Sequence, residues 1–270
     1  MTFEVPINRI RVDALLPTLL GSGTLIEWEI SDKYCSRDLE FAVLYGRSPT
    51  DTFQKLGTTQ DTYFIDTEER RGGVDTEVYY AIVSRDDETD ETWSSQPQRA
   101  GSNWGKQQWR LAREIVRQER VRLTKGAAPG VRGYLCKRRN YGEQCSECTD
   151  EHTGKVIDPD CGTCYGTGIV GGYYPPVEVF VDQNPDKVVR KLTQDQGMLK
   201  DSISSWRVLA YPRFETNDFF VDASQNLRYK IQPQVQTVGH ISGIPIVQQV
   251  EVKLEERHSP IYEFPVTDNG

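Results

Sequence analysis

The chain reads as a mainly β, multidomain protein with one long linking helix, a zinc-ribbon-like loop and a small C-terminal β-barrel. Three observations predict this. Short runs of alternating apolar and polar residues, bounded by turn residues, fill the first hundred positions and return after residue 173. One stretch, WGKQQWRLAREIVRQERVRLTKG, keeps a helical period instead. Between the helix and the second β region lies CSECTDEHTGKVIDPDCGTCYGTGIVGG, Cys145–Gly172, with two Cys-x-x-Cys pairs. The expected segments are 1–98, a β-sandwich; 99–139, a basic helix and linker; 140–172, a zinc-binding ribbon; and 173–270, a barrel.

Composition agrees with a globular chain: of 270 residues, 37% are hydrophobic and 27% charged. No apolar run approaches the roughly 18 residues that cross a bilayer, so no membrane role is expected. The start, MTFEVPINRI, has neither a basic region nor an apolar block, so synthesis in a reducing cytoplasm is expected. The net charge of −8 conceals an asymmetry. Residues 1–98 carry 19 acidic and 9 basic groups, 99–139 carry 2 and 12, and 140–270 carry 19 and 11. A basic belt between acidic ends suits a polyanion or an acidic partner; a solvated arginine-rich helix face explains it equally well.

In the first segment, Thr24–Ile30 (TLIEWEI) places Ile26, Trp28 and Ile30 on one face and Glu27 and Glu29 on the other. Leu39–Gly46 puts Phe41, Val43 and Tyr45 together, and FQKLG and YFID are shorter candidates. Glu77–Asp87 aligns Val78, Tyr80 and Ile82 before TWSS closes the series. About seven short strands with an early Trp and a Tyr-rich late strand predict a sandwich. Trp28 and YYAIVSRDDETDETWSS resemble a fibronectin type III domain, except that Val78 stands where that family often has a corner tyrosine. The resemblance implies a spacer or adhesion module without chemistry of its own. The scattered acids read as a solvated outer face.

Ser102 and Asn103 are good caps for the helix. Trp109, Ala112, Val116 and Leu123 form its apolar stripe, widened by Leu111 and Ile115, and Gly126, Pro129 and Gly130 end it. Arg110, Arg113, Arg117, Arg120 and Arg122 line the remaining surface. Such a helix can join two β domains or pack against neighbouring subunits in a ring.

Two thiolate pairs, Cys145/Cys148 and Cys161/Cys164, supply the four sulfurs that one Zn²⁺ takes in a tetrahedral structural site. All-cysteine ligation leaves no open position, so the metal is expected to be structural, one per chain. Gly162, Gly166 and Gly168 let the backbone fold closely around it. Only Val156 and Ile157 are sizeable apolar residues between the pairs, so burial cannot hold this loop. Ligation contributes on the order of 10 kcal/mol to such a loop. Cys35 and Cys136 read as free thiols, and whether Cys136 or His152 joins the ligand set stays open.

CGTCYGTG matches the cysteine-glycine repeat of the J-domain cochaperones, but one full copy and no N-terminal helical bundle argue against that family. The longer run KRRNYGEQCSECTDEHTGKVIDPDCGTCYGTGIVGGYYPPVEV resembles a virion structural family of tailed bacteriophages, a likeness covering about residues 132–180. It implies a protein of the neck, or head-to-tail connector, in a homo-oligomeric ring that meets portal, tail and other neck proteins of the virion. Proximity to DNA through the belt 99–139 would follow.

In the last segment VEVFVD, DKVVRKL, SWRVLAYP, DFFVD, LRYKIQP and VQQVEVKLEE all read as strands. DFFVDASQNLRYKI predicts a hairpin with its loop at 222–226, and a longer hairpin bends at 239–243. The order Asp-Phe, loop, Arg-Tyr, strand, Gly-x-Pro-x-x-Gln, strand resembles the head-completion or stopper proteins of phage connectors, which carry a small β-barrel. His240 and His258 lack catalytic neighbours and read as surface residues. No triad, phosphate loop or paired carboxylates stand out, so no enzymatic activity is expected. The alternatives are a nucleic-acid-binding zinc-ribbon protein, with Phe219 and Tyr229 as base-stacking candidates, or another tail or baseplate component.

Overall fold

The computed structural model describes residues 7–14, 24–31, 39–67, 78–86, 89–100, 106–126, 129–150, 153, 155–183, 203–241 and 244–266. They form two compact units, 1–110 with 141–143 and 111–140 with 144–270. No helix among the described residues is long and apolar enough to cross a membrane.

The first unit follows from alternation. Its strands are β1 (Ile7–Ala14), β2 (Thr24–Ile30), β3 (Leu39–Gly46), β4 (Gln54–Thr59), β5 (Tyr63–Asp66), β6 (Val78–Asp86), β7 (Thr92–Ser94) and β8 (Gln98–Ala100). One sheet has the order β1-β2-β5; the other runs β4-β3-β6-β7, with β8 also paired to β6. Ile26 and Trp28 of the first sheet pack against Phe41, Val43, Tyr80 and Ile82 of the second, burying both inner faces. Trp28 meets Phe41 edge-on at 5.3 Å. This is the sandwich that the fibronectin-like pattern implied. Val78 is simply buried in the core. The inter-sheet hydroxyl contact comes two residues later, where Tyr80 Oη donates to Asp66 Oδ2 at 2.9 Å.

The outer face of β2 departs from its alternation. Glu27 is only 1% exposed, and Leu25 beside it is fully buried. Arg11 is the register partner of Glu27 across β1/β2, and its Nε lies 3.4 Å from Glu27 Oε1. A cross-strand cation keeps a covered carboxylate compensated.

In the second unit α1 (Lys106–Lys125) precedes β9 (Val131–Cys136), β10 (Val177–Asp182), β11 (Ile203–Leu209), β12 (Phe219–Asp222), β13 (Arg228–Ile241) and β14 (Ile244–Leu254). The six strands close a barrel in the order β10-β11-β14-β13-β12-β9. Leu135, Val181, Trp206, Phe220, Ile231 and Val252 fill it. Trp206 stacks edge-on to Phe220 and Tyr229. Both expected hairpins are present, as β12–β13 and β13–β14. DKVVRKL lies outside the described residues.

Two boundaries shift. The barrel does not begin at residue 173, because β9, read as the end of the linker, pairs with both β10 and β12. Its VRGYLC hides a strand behind an arginine and a glycine. Gly133 is required there, since a Cβ would meet the Phe220 ring and Val221 O at 2.2 Å. Residues 144–172 likewise group with the barrel, within the insertion between β9 and β10, while 141–143 of that insertion group with the first unit.

Most of α1 belongs with the barrel rather than standing between units. Ala112, Val116 and Leu123 are buried as the stripe predicted, but Leu111 is 53% exposed and faces away. Arg122 Nη1 donates to Asp182 Oδ2 of β10 at 2.8 Å, and Arg207 Nη2 of β11 donates to Glu119 Oε1 at 2.7 Å. These pairs select the docked face. Ser102, Asn103 and the Trp109 side chain lie outside the described residues.

Candidate metal centre

The chain leaves β9 at Cys136 and returns at Val177, so the cysteine loop hangs between adjacent antiparallel strands. Three isolated bridges, Arg138↔Tyr173, Gln144↔Ile169 and Thr149↔Val156, give it a ladder-like frame. At its centre Cys145, Cys148, Cys161 and Cys164 are all buried, with sulfurs within 4.8 Å of one another. None is in a disulfide. Cys145 Sγ lies 3.7 Å from Cys161 Sγ, and Cys148 Sγ lies 3.2 Å from Cys164 Sγ. A tetrahedron with metal–sulfur bonds of about 2.3 Å has edges of about 3.8 Å, so the quartet fits one metal ion after small adjustment.

The backbone explains why two short turns hold this geometry. Cys145 N donates to Gly168 O, Thr149 N to Cys145 O and Thr167 N to Cys164 O. Thr167 Oγ1 caps the same Cys164 carbonyl at 2.7 Å. Gly172 takes φ +61°, and a Cβ there would lie 2.6 Å from Cys164 O. Gly166 and Gly168 also have positive φ, whereas Gly162 does not and a Cβ there would find ordinary space.

The thiols differ in how readily they ionise. Burial, followed by the contact with Cys164, pushes the Cys148 thiol well up, and burial also raises Cys145. Cys161 moves down, first because the Cys164 amide donates to it. Two thiols held up by burial and packed against two more form a poor home for free thiolates. A divalent cation reverses that by offsetting their charge.

Cys136 is buried outside the quartet, among Tyr134, Tyr173, Phe219 and Phe264. Burial pushes its thiol up, and it joins no metal-ligand group among the described residues. His152 and Cys35 lie outside the described residues. His240 and His258 are exposed, and His258 Nε2 sits 3.0 Å from Glu256 Oε2.

What sequence reasoning missed is how the loop is tied to the barrel. Lys137 and Asp218 are buried at the next position of the β9/β12 ladder, beyond the Cys136↔Phe219 pair. Lys137 Nζ donates to Arg213 O at 2.8 Å and sits 3.3 Å from Glu215 Oε2 and 3.8 Å from Asp218 Oδ2. Asp218 accepts the Arg138 amide on one oxygen and the Glu215 amide on the other, each at 2.8 Å. Burial pushes the Asp218 carboxyl up to about 6, against the opposing pull of Lys137 and the two amides. The guanidiniums of Arg138 and Arg139 then donate to Thr167 O and Val170 O within the loop.

A C-terminal clasp completes the attachment. After β14 a single 3₁₀ turn, Pro260–Tyr262, brings Ile261 and Phe264 onto the base of the loop. Phe264 meets Tyr165, Tyr173 and Phe219 edge-on at 5.2 to 5.7 Å. Arg228 Nη2 donates to Phe264 O. Its guanidinium lies over the Tyr262 ring at 5.3 Å.

The arginine-rich belt is largely engaged inside the unit. Arg117 bonds Glu114, Arg122 bonds Glu119 and Asp182, and Arg132 bonds Glu178. Lys137, Arg138 and Arg139 are spent on the loop attachment. Phe219, a base-stacking candidate, is fully buried. Tyr229 packs against Trp206.

No family model matches the chain, and no curated protein is similar to it. Among solved structures, one described as titin kinase and its flanking domains aligns with 92% of this chain at 8% identity and a TM-score of 0.29. This chain spans 37% of that one. A likeness at that level carries no argument about fold or function.

Proposed function

We propose that the chain is a structural virion protein of a tailed phage, a subunit of a neck ring joining portal and tail, with Zn²⁺ in the four-cysteine centre and no catalytic step of its own. One coincidence carries the reading. The run that resembles the phage neck family, about residues 132–180, is β9, the cysteine insertion and β10, so it maps onto one physical module. A closed metal centre built into a barrel wall rigidifies a surface, which is what an assembly subunit needs. The sandwich serves as a spacer or decoration.

Arg122 and Arg132 of the belt are bonded to carboxylates and would have to give those bonds up to contact DNA, which weighs against a phosphate-binding role for that part of it. Electron microscopy of the parent particle with labelled chain tests the location. Label at the neck supports the proposal; label confined to capsid or tail tip, or absent from particles, overturns it. For the metal, native mass spectrometry should find one zinc per chain, reduced by Cys161→Ser. Sulfur-bound iron with visible absorbance would replace zinc in this reading.

A further inference from the structure

Two surfaces of the barrel unit expose apolar side chains in settings of opposite charge. On α1, Leu111 and Val121 are 53% and 48% exposed. They lie with Gln118 on the face turned from the barrel, flanked by exposed Arg110, Arg117 and Lys125. The acid on this face, Glu114, is already held by Arg117 and Gln118. On the cysteine loop, Ile157 is 69% exposed and Val156 37%. Next to them along the loop come exposed Asp158 and Asp160, with exposed Lys155 before them and Asp150 bonded through its amide to the Lys155 carbonyl.

The loop tip is also preorganised. Ile157 N donates to Cys148 O at 2.7 Å, Asp150 N donates to Lys155 O, and Val156 bridges Thr149. The most exposed apolar side chain of the loop is therefore one hydrogen bond from a metal ligand. A rigid apolar knob loses little conformational freedom on docking. Burying an isoleucine against leucine and valine, with an acidic rim facing a basic one, satisfies both the apolar and the charge requirement of an interface.

We infer that the cysteine-loop tip around Ile157 of one subunit docks on the outward face of α1, around Leu111 and Val121, of a second copy of this chain. The contact joins two different surfaces, so it propagates head to tail and closes a ring when the rotation permits. It rests on the proposed assembly role and names the contact within it. It also gives the metal a purpose beyond folding, because the ion holds the knob in shape.

Sedimentation velocity of the full zinc-loaded chain over a range of concentrations tests this. The wild type should associate with increasing concentration. Ile157→Asp and Val121→Asp, both at exposed positions, should each weaken association by about tenfold or more, with zinc content and circular dichroism unchanged. Reversing the loop charges (Asp158→Arg with Asp160→Arg) or the helix charges (Arg110→Glu with Arg117→Glu) should weaken it too, and mixing the two reversed proteins should restore it. A wild type that stays monomeric throughout overturns the inference, and imaging of the particle then decides the neck reading independently. Association that survives both aspartate variants overturns this contact while leaving assembly through another surface intact.

Discussion

Asp218 shows how one buried side chain can organise a junction. Its two oxygens take amides from Arg138, at the start of the loop, and Glu215, before β12, while Lys137 sits against it. Burial is the dominant influence, so the folded carboxyl titrates near 6 rather than near the usual value of about 4. A carboxyl raised on folding contributes stability that is full below about pH 4 and lost as pH climbs to about 6. Carboxyl ¹³C NMR should give Asp218 a midpoint near 6; a midpoint at or below 4 would mean that the amides and Lys137 outweigh burial. Tyr80 is the comparable residue in the sandwich. Tyr80→Phe removes the donor to buried Asp66 Oδ2 and should cost about 1–3 kcal/mol in urea unfolding. An unchanged midpoint would show that Asp66 finds another donor.

The clasp after β14 is the element whose importance is least visible along the chain. EFPV gives no periodic signal, yet Phe264 contacts aromatic rings from the loop and from β12. Phe264→Ala should destabilise the barrel unit by about 3 kcal/mol, the usual cost of emptying a buried aromatic site, and loosen residues 165–173 in hydrogen exchange. Exchange confined to the C-terminal residues would assign the clasp a passive role. For α1, periodicity found the stripe but not its width. Leu111 and Ile115 both fit a broad apolar face, and the ion pairs of Glu119 and Arg122 with β11 and β10 turn the helix so that Leu111 is left outside. Periodicity alone cannot place the edges of a stripe when the deciding contacts are polar and distant.

At the scale of the molecule, the four-cysteine centre belongs to one of two compact units. Chelation should therefore lower the melting of the barrel unit by several degrees and leave the sandwich transition in place, which differential scanning calorimetry resolves. A single transition moving as a whole would mean that the two units unfold together. The charge asymmetry also reads differently at this scale. The twelve basic groups of 99–139 looked like a patch in the linear chain. In the fold, carboxylates from β10 and the helix itself meet several of them, and the loop carbonyls take two more.

The sequence by itself determined which four cysteines converge and the β character of both flanking regions. Cys-x-x-Cys spacing and strand alternation are local properties, complete within a few residues. Only the tertiary structure decided that β9 belongs to the barrel, that Glu27 is covered, and that Lys137 and Asp218 meet. Each depends on a partner far along the chain, 80 residues away for the Arg138–Asp218 bond, and pairing over such distances is set by ladder register and packing. The cysteine spacing marks which sulfurs converge; the closed barrel decides which two strands their loop connects.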